Sequence, residues 1–168
     1  NKDSYLEELE NENNKIEIAD YTRENDTDLS KPISETFTFK DTKSIEIIND
    51  KIYISPLLFL AHKENPFKQE VREYPVDFGF PTFERINVSI EIPEGYVIES
   101  LPAPLNIATG ENVGSFVYNI ANNENKIQIV ITSIINEAIV SADFYPVLKG
   151  FYQQMIDKQN EKIVLKKI

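Results

Sequence analysis

The spacing of apolar residues changes period along this chain, and the changes mark out its elements. Between Asp3 and Asn13, Tyr5, Leu6 and Leu9 form a narrow apolar stripe on an otherwise charged segment, and Ser4-Tyr5-Leu6-Glu7 has the spacing of a capping box. This predicts a short N-terminal helix. Isolated helices of that length are marginal in water, so it must dock on something. From Lys15 onward the period is two, with Ile16, Ile18 and Asp20 on one face and Glu17 and Ala19 on the other. Thr36-Phe37-Thr38-Phe39 alternates cleanly, and Ile45, Ile47 and Ile48 lead through Asn49-Asp50-Lys51 into Ile52-Tyr53-Ile54 as a hairpin. Ile86, Val88, Ile90 and Ile92 then alternate with polar positions, and Pro93-Glu94-Gly95 suits a type I turn into Tyr96-Val97-Ile98. Further strands fit 105–109, 115–120 and 126–134, the last two joined by Asn122-Asn123-Glu124-Asn125.

Two stretches depart from this rhythm. Residues 55–83 contain Pro56, Pro66, Pro75 and Pro81, which forbid a long central strand. Leu57-Leu58-Phe59-Leu60 within it reads as a turn or short helix tucked against the core, followed by a long crossing loop. Near the C-terminus, Phe144, Leu148, Phe151, Tyr152 and Met155 recur at helical spacing over about 143–158, with Asp143 as N-cap and Pro146 in the first turn. Lys162-Ile163-Val164-Leu165-Lys166 closes the chain as a final strand. The pattern predicts a mainly β protein: an antiparallel β-sandwich, Ig-like or related, with a short N-terminal helix and one C-terminal helix packed on it. Residues 1–14 read as a helical linker from an upstream domain, and residues 15–168 as the sandwich domain.

Length and composition agree with one domain. A chain of 168 residues with 41% hydrophobic residues, 8 Tyr and 10 Phe is ordinarily globular. Its 28 acids and 17 bases leave a net charge of −11, against the basic face that sequence-independent nucleic-acid binding needs. The charge is uneven, because residues 1–30 hold 10 of the acids and only 3 of the bases. No apolar run approaches the ~20 residues that span a bilayer. The sequence opens Asn-Lys-Asp and its one methionine is Met155, so it is expected to be a piece of a longer chain, with any secretion signal upstream.

Zero cysteine decides most of the chemistry. Disulfides, thiolate metal sites and a cysteine nucleophile are all excluded. His62 is the single histidine, no Gly-x-Ser-x-Gly elbow accompanies it, and it reads as a loop residue near Pro66. Asp20, Glu24, Asp26 and Asp28 raise the question of calcium. The alternation Asp26-Thr27-Asp28 lacks a following glycine and is broken by Leu29, so a solvated acidic turn is the expectation. The five glycines form no phosphate-binding loop. No catalytic residue, metal ligand or cofactor-binding residue is assigned. Tyr74, Phe78, Phe80 and Phe83 crowd four aromatics into ten residues. They are expected to fold over the open end of the sandwich as a lid; exposed, they would offer a peptide or glycan platform.

Several short motifs follow one another in a fixed order: Ser55-Pro56-Leu57-Leu58-Phe59-Leu60, Glu64-Asn65-Pro66-Phe67, Arg72-Glu73-Tyr74-Pro75-Val76-Asp77-Phe78-Gly79, Ile92-Pro93-Glu94-Gly95-Tyr96, Glu99-Ser100-Leu101-Pro102, Phe151-Tyr152 and Lys158 through Lys166. Together they resemble the C-terminal region of large bacterial transglutaminase-like proteins, in which a domain of unknown function and a papain-like core precede a β-rich tail. The resemblance covers nearly the whole chain and rests on order rather than on one diagnostic signature. It implies that the Cys-His-Asp machinery sits in the core domain and that none of it is carried here. It further implies an exported, periplasmic or cell-surface protein. The expected role is a non-catalytic accessory domain that docks on the upstream core through Tyr5, Leu6 and Leu9. The alternative is a peptide- or glycan-binding module using Tyr74, Phe78, Phe80 and Phe83.

Overall fold

The computed structural model describes residues 2–13, 16–41 and 43–168. The chain divides into two compact units, Asn1–Ile45 and Glu46–Ile168, each described by itself. The boundary read from the sequence falls at Asn14 and Lys15, outside the described residues.

In the first unit, α1 (Lys2–Glu12) precedes an antiparallel pair, β1 (Glu17–Glu24) and β2 (Ser34–Lys40). The helix begins at Lys2, which puts Ser4 inside the first turn and not ahead of it, where a capping box would need it. Its far end is closed by Asn13, whose backbone N–H and Nδ2 both donate to the Leu9 carbonyl, at 3.2 and 2.7 Å. The Ile18 N–H donates to Glu10 Oε1 at 2.8 Å, tying helix to strand. The strict two-residue alternation expected through Asp20 does not hold. A bulge lies between Ala19 and Thr22, with Asp20 at φ 53°, a conformation aspartate tolerates better than most residues. The pairs Ile18↔Phe39 and Arg23↔Glu35 show the result: one inserted residue brings Tyr21 and Arg23 to the face of Ile18.

The second unit is a β-sandwich. β3 (Ile45–Ile48) and β4 (Lys51–Ile54) form the expected hairpin, with Asn49 at φ 55° in its turn. β5 (Val76–Asp77), β6 (Thr82–Glu91), β7 (Tyr96–Ser100), β8 (Leu105–Ala108), β9 (Gly114–Asn123), β10 (Lys126–Ile135), β11 (Ile139–Val140), α2 (Tyr145–Gln159) and β12 (Ile163–Lys167) follow. One four-stranded sheet runs β3-β4-β12-β7 and the other β6-β10-β9-β8, while β5 and β11 make a separate two-stranded ribbon. The turn between β6 and β7 differs in type from the expectation. Gly95 takes φ 81° at its third position while Tyr96 N–H donates to Pro93 O at 3.1 Å, the signature of a type II turn.

The core lies between the two sheets. Alternation along β10 buries Ile127, Ile129, Ile131 and Ile135 against Phe116 and Tyr118 of β9, and the opposite sheet supplies Ile52, Ile54, Ile163 and Leu165. Gly114 begins β9 at a tight approach: a Cβ there would stand 3.1 Å from Ile135 Cδ1 and 3.3 Å from the Ile134 carbonyl oxygen, so its neighbours would have to give way. Helix α2 buries Leu148, Phe151 and Met155, as its spacing predicts, and adds Phe151 and Met155 to this core. Its start differs. Asp143 lies within a 3₁₀ turn, Ala142–Phe144, and Phe144 is the N-cap, without a side-chain bond. A second cluster, with Phe67, Val76, Val113, Val140, Tyr145 and Leu148, joins α2 to the β5–β11 ribbon.

Candidate functional site

Segment 65–83 is fastened to α2 by specific bonds. Asn65 Nδ2 donates to the Lys149 carbonyl at 3.0 Å, and Tyr145 Oη and Lys149 Nζ donate to the Gln69 carbonyl at 3.0 and 2.9 Å. Phe67 makes T-shaped contacts with Tyr152, Tyr145 and Phe78, with centroid separations of 4.8, 5.7 and 6.4 Å. Arg72 donates from Nε to the Tyr74 carbonyl at 3.0 Å and holds its guanidinium 6.0 Å from the Tyr145 ring. Beyond Phe78, whose N–H donates to Ala138 O at 2.7 Å, the chain turns at Gly79 with φ 77° and enters β6.

The lid expected from these aromatics is not what forms. Tyr74, Phe80 and Phe83 are 75%, 68% and 67% exposed, and only Phe78 packs against the core. The physical reason is geometric. Phe67 already occupies the aromatic slot beside α2, and strand alternation aims Phe83 to the outer face of β6, opposite Ile134 of β10. Tyr74 borders a cavity of about 470 Å³ shared with Gln69, Val71, Arg72 and Glu73.

A second constellation lies wholly within the first unit. Tyr5 of α1 donates to Glu35 Oε2 at 3.1 Å, Tyr21 of β1 donates to Glu35 Oε1, and Arg23 Nη1 stands 3.6 Å from that same oxygen. Accepting from Tyr21 first, and also from Tyr5 and beside Arg23, the Glu35 carboxyl is held below its ordinary range. Both phenols are pushed up, because each donates to that anion. The two rings lie 6.1 Å apart, with Arg23 5.7 Å from the Tyr5 centroid and Lys2 Nζ 5.3 Å from that of Tyr21. Lys2, Tyr5, Tyr21, Arg23 and Asp26 line a cavity of about 520 Å³.

A family sequence pattern described as a domain of unknown function with a solved structure, DUF3858, matches residues 50–165, more than half of the chain. The chain belongs to the DUF3858 family. No curated protein sequence matches it. Among solved structures, it is similar to a Parabacteroides distasonis protein provisionally described as a protease, at 14% identity and a TM-score of 0.51. That similarity covers 58% of this chain and 19% of the other, so the chain spans about a fifth of that protein's length, and the likeness is one of fold.

The DUF3858 match includes Tyr74, Phe78, Phe80, Phe83 and His62, and leaves Tyr5, Leu6 and Leu9 outside it. Those last three are all half-buried on α1, with Tyr5 committed to the hairpin of its own unit. His62 is an exposed residue of the DUF3858 region whose N–H donates to Gln159 Oε1 at 3.0 Å and whose carbonyl accepts from Asn160 Nδ2 at 2.7 Å. The four acids considered for calcium go separate ways. Asp20 sits at the bulge against Thr38, and Asp28 accepts from the Ser30 hydroxyl at 2.6 Å and pairs with Lys31 at 3.3 Å, which hold its carboxyl below the usual range. Among the described residues, no three His, Cys, Asp or Glu side chains converge as metal ligands, and no helix is long and apolar enough to cross a membrane. Outside the DUF3858 match, the tyrosine pair on Glu35 went unrecognised in the sequence. Its only sequence signal is Tyr21-Thr22-Arg23, a two-residue spacing hidden until the bulge sets its face.

Proposed function

We propose that this chain is a non-catalytic accessory domain of a larger transglutaminase-like protein and docks on the catalytic core of the same polypeptide. The observation that carries the proposal is the structural likeness in which 58% of this chain matches a 19% share of a much longer chain. The ordered motifs that resemble the tail region of such proteins, and a sequence with no cysteine to act as their nucleophile, support it as well. On the same reading the sandwich is Ig-like or related, and the parent protein is exported to the periplasm or cell surface. The docking contact runs along Leu6 and Leu9 beside Tyr5. Leu6→Asp with Leu9→Asp in the full-length parent is expected to speed cleavage between core and tail in limited proteolysis, with the helical circular dichroism of the tail retained. Cleavage at the original rate would sink the docking idea.

The exposure of Tyr74, Phe80 and Phe83 favours a second reading, a peptide- or glycan-binding module built on that loop with Phe78 as its half-buried anchor. Rigid rings give contact area at low entropic cost, about 1 kcal/mol or more apiece when covered. Tyr74→Ser with Phe80→Ser is then expected to lower retention on an immobilised peptide or oligosaccharide array by at least tenfold. Equal retention of both proteins on every arrayed compound would rule this reading out.

A further inference from the structure

The cleft beside the tyrosine pair has features that docking of α1 on the hairpin does not require. The bulge is the first. In a regular strand of the same sequence Tyr21 and Arg23 would fall on the face opposite Ile18, so the bulge with Asp20 at φ 53° is what aims both side chains toward Tyr5. The second is unused bonding capacity. Both phenols spend their protons on Glu35; the Tyr21 oxygen also accepts from Arg23, while the Tyr5 oxygen keeps its lone pairs open. Lys2 Nζ donates once, to the Tyr21 carbonyl at 3.2 Å, and the Arg23 guanidinium, with five N–H donors, is engaged by Glu35 through Nη1 and by the Tyr21 oxygen. The Asp26 carboxylate has no hydrogen-bond or ionic partner among the described residues. The third is size: about 520 Å³ lies within the range of small-ligand sites.

These groups specify a ligand. Two cations beside two ring faces call for one anionic group next to an apolar face. Asp26 and the Tyr5 phenol oxygen call for hydroxyl donors. A phosphate has no apolar face and, as a dianion, is repelled by Asp26 and Glu35. A neutral sugar leaves Lys2 and Arg23 unanswered. We propose that the cleft of Lys2, Tyr5, Tyr21, Arg23 and Asp26 is a subsite for a hexuronic acid residue of an oligosaccharide. The sugar carboxylate meets Lys2 and Arg23, its C–H face lies against the tyrosine rings, and its hydroxyls donate to Asp26. This site is separate from the loop of Tyr74, and it stands whether or not the domain docks on a core.

The test titrates the intact 168-residue chain with a galacturonic acid trisaccharide, the matching neutral galactose trisaccharide and inorganic phosphate, followed by calorimetry and by amide shifts of Tyr21 and Arg23. The uronate is expected to bind at least tenfold more tightly than either comparator and to move those two amides. Lys2→Gln with Arg23→Gln should abolish that preference. Should the pair of substitutions disturb the hairpin, Asp26→Asn serves in its place and is expected to weaken the uronate at least threefold. Tyr74→Ser with Phe80→Ser should leave the affinity unchanged. Uronate binding no tighter than the neutral sugar or phosphate, or binding indifferent to the Lys2, Arg23 and Asp26 substitutions, overturns the proposal.

Discussion

Phe67→Ala is expected to destabilise the second unit by about 3–5 kcal/mol, the usual cost of emptying a packed aromatic site. Phe67 is 8% exposed and stands nearly perpendicular to three other rings, Tyr152, Tyr145 and Phe78. Removing it leaves a void that Tyr145 and Tyr152 cannot close, because both belong to α2, whose position is set by Leu148, Phe151 and Met155 in the cores. The loss also has a location. Phe78 loses a ring contact while the bonds from Asn65, Tyr145 and Lys149 remain, so segment 74–83 should loosen before the sandwich unfolds. Urea unfolding reads the global cost, and hydrogen exchange at the Phe78 amide, bonded to Ala138 O, reads the local one. Phe80→Ala, at a 68% exposed ring, should cost under about 0.5 kcal/mol and is the natural control. Equal costs for the two substitutions would mean that Phe67 is not core.

Tyr118→Phe is expected to be neutral or stabilising at pH 7 and increasingly stabilising at alkaline pH. Tyr118 is fully buried in the sandwich, and its hydroxyl has no hydrogen-bond partner among the described residues. Deleting it at pH 7 therefore removes a desolvated polar group without orphaning another, which should leave the unfolding midpoint unchanged or raise it. Burial first, and then the Glu161 carboxylate, push the phenol up to about 12. The unfolded chain loses that proton near pH 10 while the native protein keeps it, so the native state binds more protons between these values. Stability from this group is complete below pH 10 and falls as pH rises toward 12, by on the order of 2 kcal/mol. The variant lacks this loss, so its advantage should widen over that range. Parallel stability curves for the two proteins from pH 8 to 12 would show that Tyr118 stays out of contact with the alkaline transition.

Much of the architecture was legible because burial on one sheet face writes itself into alternate residues. Ile86, Val88 and Ile90, and Ile127, Ile129 and Ile131, announced β6 and β10, and the helical spacing of Leu148, Phe151 and Met155 announced α2. Elements without a face of their own were not legible. The ribbon of Val76–Asp77 with Ile139–Val140 has two residues a side, too few for any period, and exists because Val76 and Val140 join a core assembled by α2. The aromatic loop failed for a related reason. Hydrophobic rings favour burial, but burial also needs a vacancy, and Phe67 had filled the one beside α2. The tyrosine cluster depends on one inserted residue in β1, which inverts every later side chain and leaves the alternation of apolar residues uninformative there.

By itself, then, the sequence determined a mainly β chain with a helix near either end, a strongly acidic first 30 residues and, through the lack of cysteine, the absence of any thiol chemistry. These are properties of composition and of local spacing, and they hold for any arrangement of the strands. The order β6-β10-β9-β8 against β3-β4-β12-β7, the exposure of Tyr74, Phe80 and Phe83, and the meeting of Tyr5, Tyr21 and Arg23 on Glu35 were decided only by the tertiary structure. Backbone hydrogen bonds are the same for every residue and do not name their partners, and a side chain's surroundings depend on which distant residue reached the space first.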